Sequence, residues 1–267
     1  MTLPSFLIVG AMKGGSTTLY QDIRGHPRLC MPEFKEPEIL LHDCTDGEAK
    51  EQYARHFRLA RVGQLCGEAS TAYTKRPQHE GVAARARALL GKTTKIIYIR
   101  RDPIARAVSH YRHDRQHGLI EESFEDALEK YPHLIDFGRY DWQIAPWIAE
   151  FGKDQVLTLD LEKYQATRRA SAERVIAFLG INPKELPPFD EVAIANAASE
   201  QKHIASTWLR SLVYSNAYQR LVKPVVPQKL RTFMRRSVLP PPSDEAVEVT
   251  PRAAQVIMQT IERDQRK

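Results

Sequence analysis

The chain has 267 residues, 42% hydrophobic and 27% charged, with a formal net charge of +6 at neutral pH. This is ordinary globular composition that asks for no second domain, and its modest positive charge favours anionic ligands without implying nucleic acid. The first apolar run begins at Phe6, leaving no room for a signal peptide, and no run reaches the length of a membrane span, so a soluble, cytoplasmic protein is expected.

Phe6 to Val9 form a buried parallel strand stopped by Gly10, and the hydroxyl-rich Ser16-Thr17-Thr18 opens a helix in which any of the three can cap. Strand, glycine-containing turn with Lys13, then helix start make a phosphate cradle: unpaired amides and the positive helix end face an anion. A nucleoside-triphosphate loop would carry its lysine directly before the hydroxyl residue, whereas Lys13 stands three positions before Ser16, ahead of Gly14 and Gly15. His26-Pro27 ends the helix, and a loop broken by Pro32 and Pro37 follows. Cys30, Cys44 and Cys66 are scattered and read as reduced thiols rather than disulfides or metal ligands.

The spacing predicts helices over 48–57 and 78–90, a strand over 64–68 running into the polar turn Ala69-Ser70-Thr71, and a strong strand, KIIYIR, over 95–100. Pro103 starts a helix reaching about Gly118 and Ser123 opens another. The pattern from Tyr140 to Phe151 is helical with Pro146 inside, expected to kink it or mark its true start. A strand over 155–159, a helix over 172–179 closed by Gly180, and a final helix from Pro251 to about Arg263 complete the reading. Strands alternating with helices imply a three-layer α/β/α fold with a central parallel sheet. Between Gln201 and Ser243 there are eight Lys or Arg and no Asp or Glu, interleaved with Trp208, Leu209, Leu212, Val213 and Tyr214. That basic amphipathic segment could cover a ligand, grip an anionic acceptor, touch a membrane surface, or simply pack on the sheet.

In an open parallel sheet ligands bind outside the carboxyl ends of the strands, so the Lys13 loop and the turn after KIIYIR should share one crevice. In that turn Arg101 ends the strand and Ser109 lies two helical turns further on.

These stretches resemble the PAPS-dependent sulfotransferases. Lys13-Gly14-Gly15-Ser16-Thr17-Thr18-Leu19 looks like their 5′-phosphosulfate loop, and Arg101 to Tyr111 looks like their R-D-P-x-x-R-x-x-S-x-Y motif for the 3′-phosphate. The branch resembled is the heparan-sulfate type with its bacterial relatives: Phe34-Lys35-Glu36 looks like the loop with the catalytic glutamate, and Glu68-Ala69-Ser70-Thr71-Ala72-Tyr73 like the segment beside the acceptor. The resemblance implies a P-loop-like α/β domain over 1–267, with a core over 1–180 holding the PAPS site and a basic part over 181–267 covering it. It implies Glu36 and Lys13 as catalytic residues; Lys13, Gly14, Gly15, Ser16, Thr17, Thr18, Arg101 and Ser109 as PAPS- or PAP-binding residues; Glu68, Ser70 and Tyr73 at the acceptor; and no metal. The branch's Lys-Gly-Arg loop is not found, and Lys202 is only a stand-in for it.

A hydroxyl or amine of a glycan or small metabolite is the implied acceptor. His26 is the rival base but reads as structural, and none of the nine histidines suggests a ligand cluster. Two alternatives stay open. A nucleotide kinase would use Asp160, at the end of an apolar strand, as its magnesium partner, and a binding protein would hold PAPS without turnover.

Overall fold

The computed structural model describes residues 2–32, 34–41, 45–191 and 247–265. Cys44 and the basic segment over 201–243 lie outside the described residues. Five strands, β1 (Phe6–Gly10), β2 (Leu29–Cys30), β3 (Leu65–Ala69), β4 (Lys95–Arg100) and β5 (Val156–Asp160), pair in the order β2-β3-β1-β4-β5, parallel throughout.

β1 is central because it is apolar on both faces. Leu7 and Val9 enter one core with Ile96 and Tyr98 of β4, while Phe6 and Ile8 enter the other with Ile97 and Ile99. All four β1 side chains are fully buried, each burial worth ~2 kcal/mol. The first face is covered by α2 (Asp46–His56), α3 (Val82–Leu90) and α7 (Tyr140–Phe151). The second is covered by α1 (Ser16–Ile23), α8 (Leu161–Ala166) and α9 (Arg168–Phe178). A third cluster joins α4 (Pro103–Gln116), α5 (Phe124–Lys130), α6 (His133–Asp136) and α10 (Pro251–Gln265) through Tyr111, Phe124, Leu134 and Ile257.

Two anchors fix the elements that carry the site. Arg168 grips Asp22 with Nη2 to Oδ1 at 2.7 Å and Nε to Oδ2 at 2.9 Å, and Tyr164 donates to the same carboxylate at 2.8 Å. This bidentate pair is buried and fully hydrogen-bonded, and it sets α1 against α8 and α9. On the other face Pro146 sits inside α7 without breaking it: the Trp142 carbonyl, which loses its helical donor, accepts instead from Arg76 Nη1 at 2.8 Å. Pro146 therefore does not mark the start of the helix, which begins six residues earlier at Tyr140.

Other boundaries shift for local reasons. α2 starts at Asp46 because Thr45 and Glu48 form a reciprocal cap, and α3 starts at Val82 because Gly81 takes a left-handed conformation before it. β2 was not anticipated, since two residues carry no periodicity; it sets Cys30 beside Cys66. Both are free thiols, and burial next to Cys30 pushes the Cys66 thiol up to about 12. Among the described residues no helix is long and apolar enough to cross a membrane.

Candidate active site

The carboxyl ends of β1, β3 and β4 open onto a cavity of about 900 Å³. After Gly10 the chain turns with Lys13 at φ 62°, and Gly15 at φ 99° takes the N-cap position of α1. No hydroxyl side chain caps the helix, contrary to the sequence expectation, so Ser16, Thr17 and Thr18 lie in its first turn. Their amides have no carbonyl ahead of them in the helix and, with the helix dipole, make an anion seat. The glycine pair is dictated by crowding. A Cβ on Gly14 would lie 2.5 Å from the Ile99 carbonyl oxygen, and one on Gly15 would lie 2.4 Å from Leu161. Lys13, Gly15, Ser16, Thr17 and Thr18 line the cavity; Gly14 lies beneath it. Burial lowers the pKa of Lys13, partly opposed by Asp114.

α4 forms the second wall. Asp102 caps it, accepting from the Ala105 amide at 2.8 Å, and Pro103 occupies its first turn. Ser109, Arg112, His113 and Gln116 share the helical face that lines the cavity, and Arg101 stands at its start. Thus the two sequence motifs do meet in one crevice. His113 was not singled out from sequence; burial and the nearby Lys13 hold its pKa down to about 4, so it is neutral.

The third wall is the 35–38 loop. Glu36 has φ 59°, a left-handed conformation uncommon for glutamate, and is held there by its amide donating to the Ala69 carbonyl at 2.8 Å. Its Oε2 accepts from the Thr71 amide at 2.7 Å and from the Thr71 hydroxyl at 3.2 Å. Its Oε1 lies 3.5 Å from Lys35 Nζ. Lys35 in turn donates to Ser16 Oγ at 3.1 Å and Thr17 Oγ1 at 3.0 Å, so it ties the loop to the anion seat. The only sequence signal for Lys35 was its position beside Glu36.

Glu68, Ser70 and Tyr73, expected beside an acceptor, line no part of the cavity. They are buried behind the loop. Glu68 accepts from Tyr53 at 2.7 Å, Tyr73 at 2.8 Å and Ser70 at 2.9 Å. The Ser70 hydroxyl accepts from the Glu38 amide at 3.2 Å, and the Tyr73 hydroxyl from the Leu40 amide at 3.3 Å. The cluster therefore braces the chain just after Glu36, at Glu38 and Leu40. Burial raises the Glu68 pKa to about 7 despite the three donors. From this segment it is Thr71 that reaches the cavity.

His26 does not line the cavity either. Its Nδ1 accepts from the Arg28 amide at 3.1 Å, so Nε2 carries the proton donated to the Asn182 carbonyl at 3.1 Å. Both nitrogens are engaged, as a structural histidine requires. Asp160 pairs with Arg100 at 2.6 Å on a separate cavity of about 420 Å³, away from the anion seat and unsuited to a metal partner there.

Among the described residues, His110, Asp114 and His133 bring one ligand atom each within 4.8 Å of the others, a cluster that sequence spacing did not reveal. Arg106 Nη1 faces His110 Nδ1 at 3.3 Å, and an arginine can only donate, so the His110 proton is on Nε2, 3.4 Å from Asp114 Oδ2. His133 Nε2 reaches the same oxygen at 3.0 Å. The arrangement is a satisfied hydrogen-bond chain, and a cation on His110 Nε2 would need a proton on Nδ1 facing the guanidinium.

A central parallel strand opening onto the first turn of a helix, with an arginine and a serine on the next wall of the cavity, defines an α/β protein with its site at the carboxyl ends of its strands. The chain belongs to the sulfotransferase domain family, which matches residues 3–236. It is 27% identical over 196 residues to heparan sulfate glucosamine 3-O-sulfotransferase 3B1 of Mus musculus, covering 67% of this chain and 46% of that protein. It is also 27% identical over 201 residues to bifunctional heparan sulfate N-deacetylase/N-sulfotransferase 4 of Mus musculus, covering 68% of this chain and 23% of that one. The chain thus spans less than half the length of these curated relatives. A crystal structure of a sulfotransferase from Alicyclobacillus acidocaldarius superposes with a TM-score of 0.63 at 25% identity, covering 72% of this chain and 86% of that one.

Proposed function

We propose that this chain is a PAPS-dependent sulfotransferase acting on a hydroxyl or amine of a carbohydrate or other small acceptor. The observation that carries the reading is the meeting of the Lys13 loop, the Arg101–Ser109 face and Glu36 in one cavity. Two cationic stations suit a nucleotide with phosphate at two positions, and the crowded glycine pair leaves backbone to approach one of them. PAPS, when bound, supplies an activated sulfuryl group on a phosphate leaving group.

Lys13, Gly15, Ser16, Thr17 and Thr18 hold the 5′ end, with Gly14 shaping the turn from beneath through its amide bond to the Ala11 carbonyl, and Lys13 with the first-turn amides stabilises the charge that develops there. Oriented donors of this kind are worth on the order of 3 kcal/mol each. Arg101 and Ser109 hold the 3′-phosphate. Glu36, held by Thr71 through Oε2, accepts the acceptor's proton, a step worth roughly 100-fold to 10,000-fold. Glu68, Ser70 and Tyr73 act through the loop that presents Glu36. The names of the relatives, which act on heparan sulfate, support a carbohydrate acceptor.

Calorimetry with PAP, 5′-AMP and ATP tests the donor site: PAP should bind well and the other two weakly, whereas equal affinity for PAP and 5′-AMP overturns the assignment of Arg101 and Ser109. Labelled PAPS offered with glycan, lipid and metabolite acceptors tests turnover. PAP binding with no label transfer to any acceptor would mark a non-catalytic PAPS-binding protein.

A further inference from the structure

We propose that Lys35 is a second catalytic cation, which serves the sulfuryl oxygens of the donor at the junction between the anion seat and the base. This rests on the donor and base assignments above and names a residue that those assignments leave without a role.

The geometry is specific. An ammonium has three donors and no acceptor. Lys35 donates two of them to Ser16 Oγ and Thr17 Oγ1, at 3.1 and 3.0 Å, and its third faces the Glu36 carboxylate at 3.5 Å, an ion-pair contact long enough for that hydrogen to turn to a sulfuryl oxygen. It therefore touches both ends of the transfer path: the hydroxyls of the seat that receives the leaving phosphate, and the group that receives the acceptor's proton. In the reaction the S–O bond to the leaving phosphate breaks with its electron pair passing to the phosphate, an S–O bond to an acceptor hydroxyl or an S–N bond to an acceptor amine forms, and the acceptor's proton goes to Glu36. A sulfuryl group crossing from the seat to an acceptor at Glu36 crosses the position that Lys35 joins.

The hydroxyls gain a fixed polarity from the same contact. Because Lys35 can only donate, Ser16 and Thr17 accept from it and keep their own hydrogens for another acceptor. The seat thus presents donors to an anion rather than lone pairs.

Charge gives a further reason. The Lys35 side chain is 13% exposed, and the carboxylate beside it is 35% exposed. Lys35 and Lys13 both line the cavity, and burial lowers the pKa of each. Two desolvated ammoniums in one cavity carry a cost that a tandem anion offsets, and phosphate plus sulfuryl is such an anion. Lys13 alone answers a single anionic group.

The test is binding of PAPS and of PAP, each without acceptor, to the wild-type chain, Lys35→Met and Lys35→Arg, with thermal unfolding to check that all are folded. PAP lacks the sulfuryl group, so the two nucleotides separate Lys35's contact from the rest of the seat. Lys35→Met should weaken PAPS by about tenfold or more and PAP by less than about threefold, as expected for one charge-assisted contact. Lys35→Arg should restore most of the PAPS affinity, since it keeps the cation. Single-turnover transfer should follow the same order. Equal loss for PAPS and PAP would overturn the proposal and leave Lys35 as an organiser of the phosphate seat; no loss for either would overturn it outright. A wild-type chain that binds neither nucleotide would overturn the donor assignment itself, and the role of Lys35 with it.

Discussion

The two sides of the cavity are built in different ways. The side formed by the Lys13 loop, the proposed donor side, is mostly backbone: a short loop, two glycines forced by neighbours, and the first turn of α1, all from one stretch of ten residues or so, with Ser109 of α4 and Arg101, from the turn between β4 and α4, added. The Glu36 side is a side-chain assembly from distant segments, in which Tyr53 of α2, Glu68 of β3, Ser70 and Tyr73 hold a loop whose own backbone is strained at Glu36 and Glu38. A backbone seat tolerates little change at its glycines but much around it. A side-chain scaffold can be loosened one group at a time, and its ionisation makes it responsive to pH.

The largest expected effect concerns that scaffold. Glu68 has a folded-state pKa of about 7 against an ordinary 4.5, so the folded protein holds its proton more tightly than the unfolded chain. Its contribution to stability is therefore fully present below about 4.5 and is lost as pH rises through about 7, a change on the order of 3 kcal/mol. Denaturant unfolding from pH 5 to 8 should show this slope, and Glu68→Gln should flatten it while leaving PAP affinity within about threefold. A slope unchanged in the variant would mean that the buried network does not titrate.

Glu36→Gln comes next. It keeps size and the bonds from Thr71 but cannot take a proton, so turnover should fall by roughly 100-fold or more with PAP affinity within about threefold. Residual turnover near the wild-type rate would remove Glu36 from the chemistry and leave the donor side untouched. On that donor side, Arg101→Ala should cost about 2 kcal/mol in PAP affinity through loss of charge-assisted hydrogen bonds, and little in 5′-AMP affinity. Parallel losses for both nucleotides would show that Arg101 does not answer the 3′-phosphate.

The smallest effect belongs to His26, which lies outside both walls. His26→Asn should leave kcat per folded molecule intact and lower stability by about 1 kcal/mol, read as a lower Tm, because it disturbs the bonds to Arg28 and Asn182. A folded but inactive variant would transfer the base role from Glu36 to His26.

The sequence by itself determined the parallel α/β architecture, four of the five strands, and the meeting of the Lys13 loop with Arg101 and Ser109 in one cavity. Apolar runs and glycine–hydroxyl order are local, and Lys13 to Thr18 are contiguous while Arg101 and Ser109 sit on one strand–helix unit, so spacing is enough to place them. Only the tertiary structure decided the rest. Glu68, Ser70 and Tyr73 fall behind the wall because Tyr53, from another helix, closes over the carboxylate; Lys35 reaches Ser16 and Thr17 because a loop of no regular pattern folds back over α1; and His110, Asp114 and His133 meet because α6 packs on α4. Each is a contact between side chains from separate segments, and such contacts leave no periodic trace in the chain: their partners are chosen by packing, not by spacing.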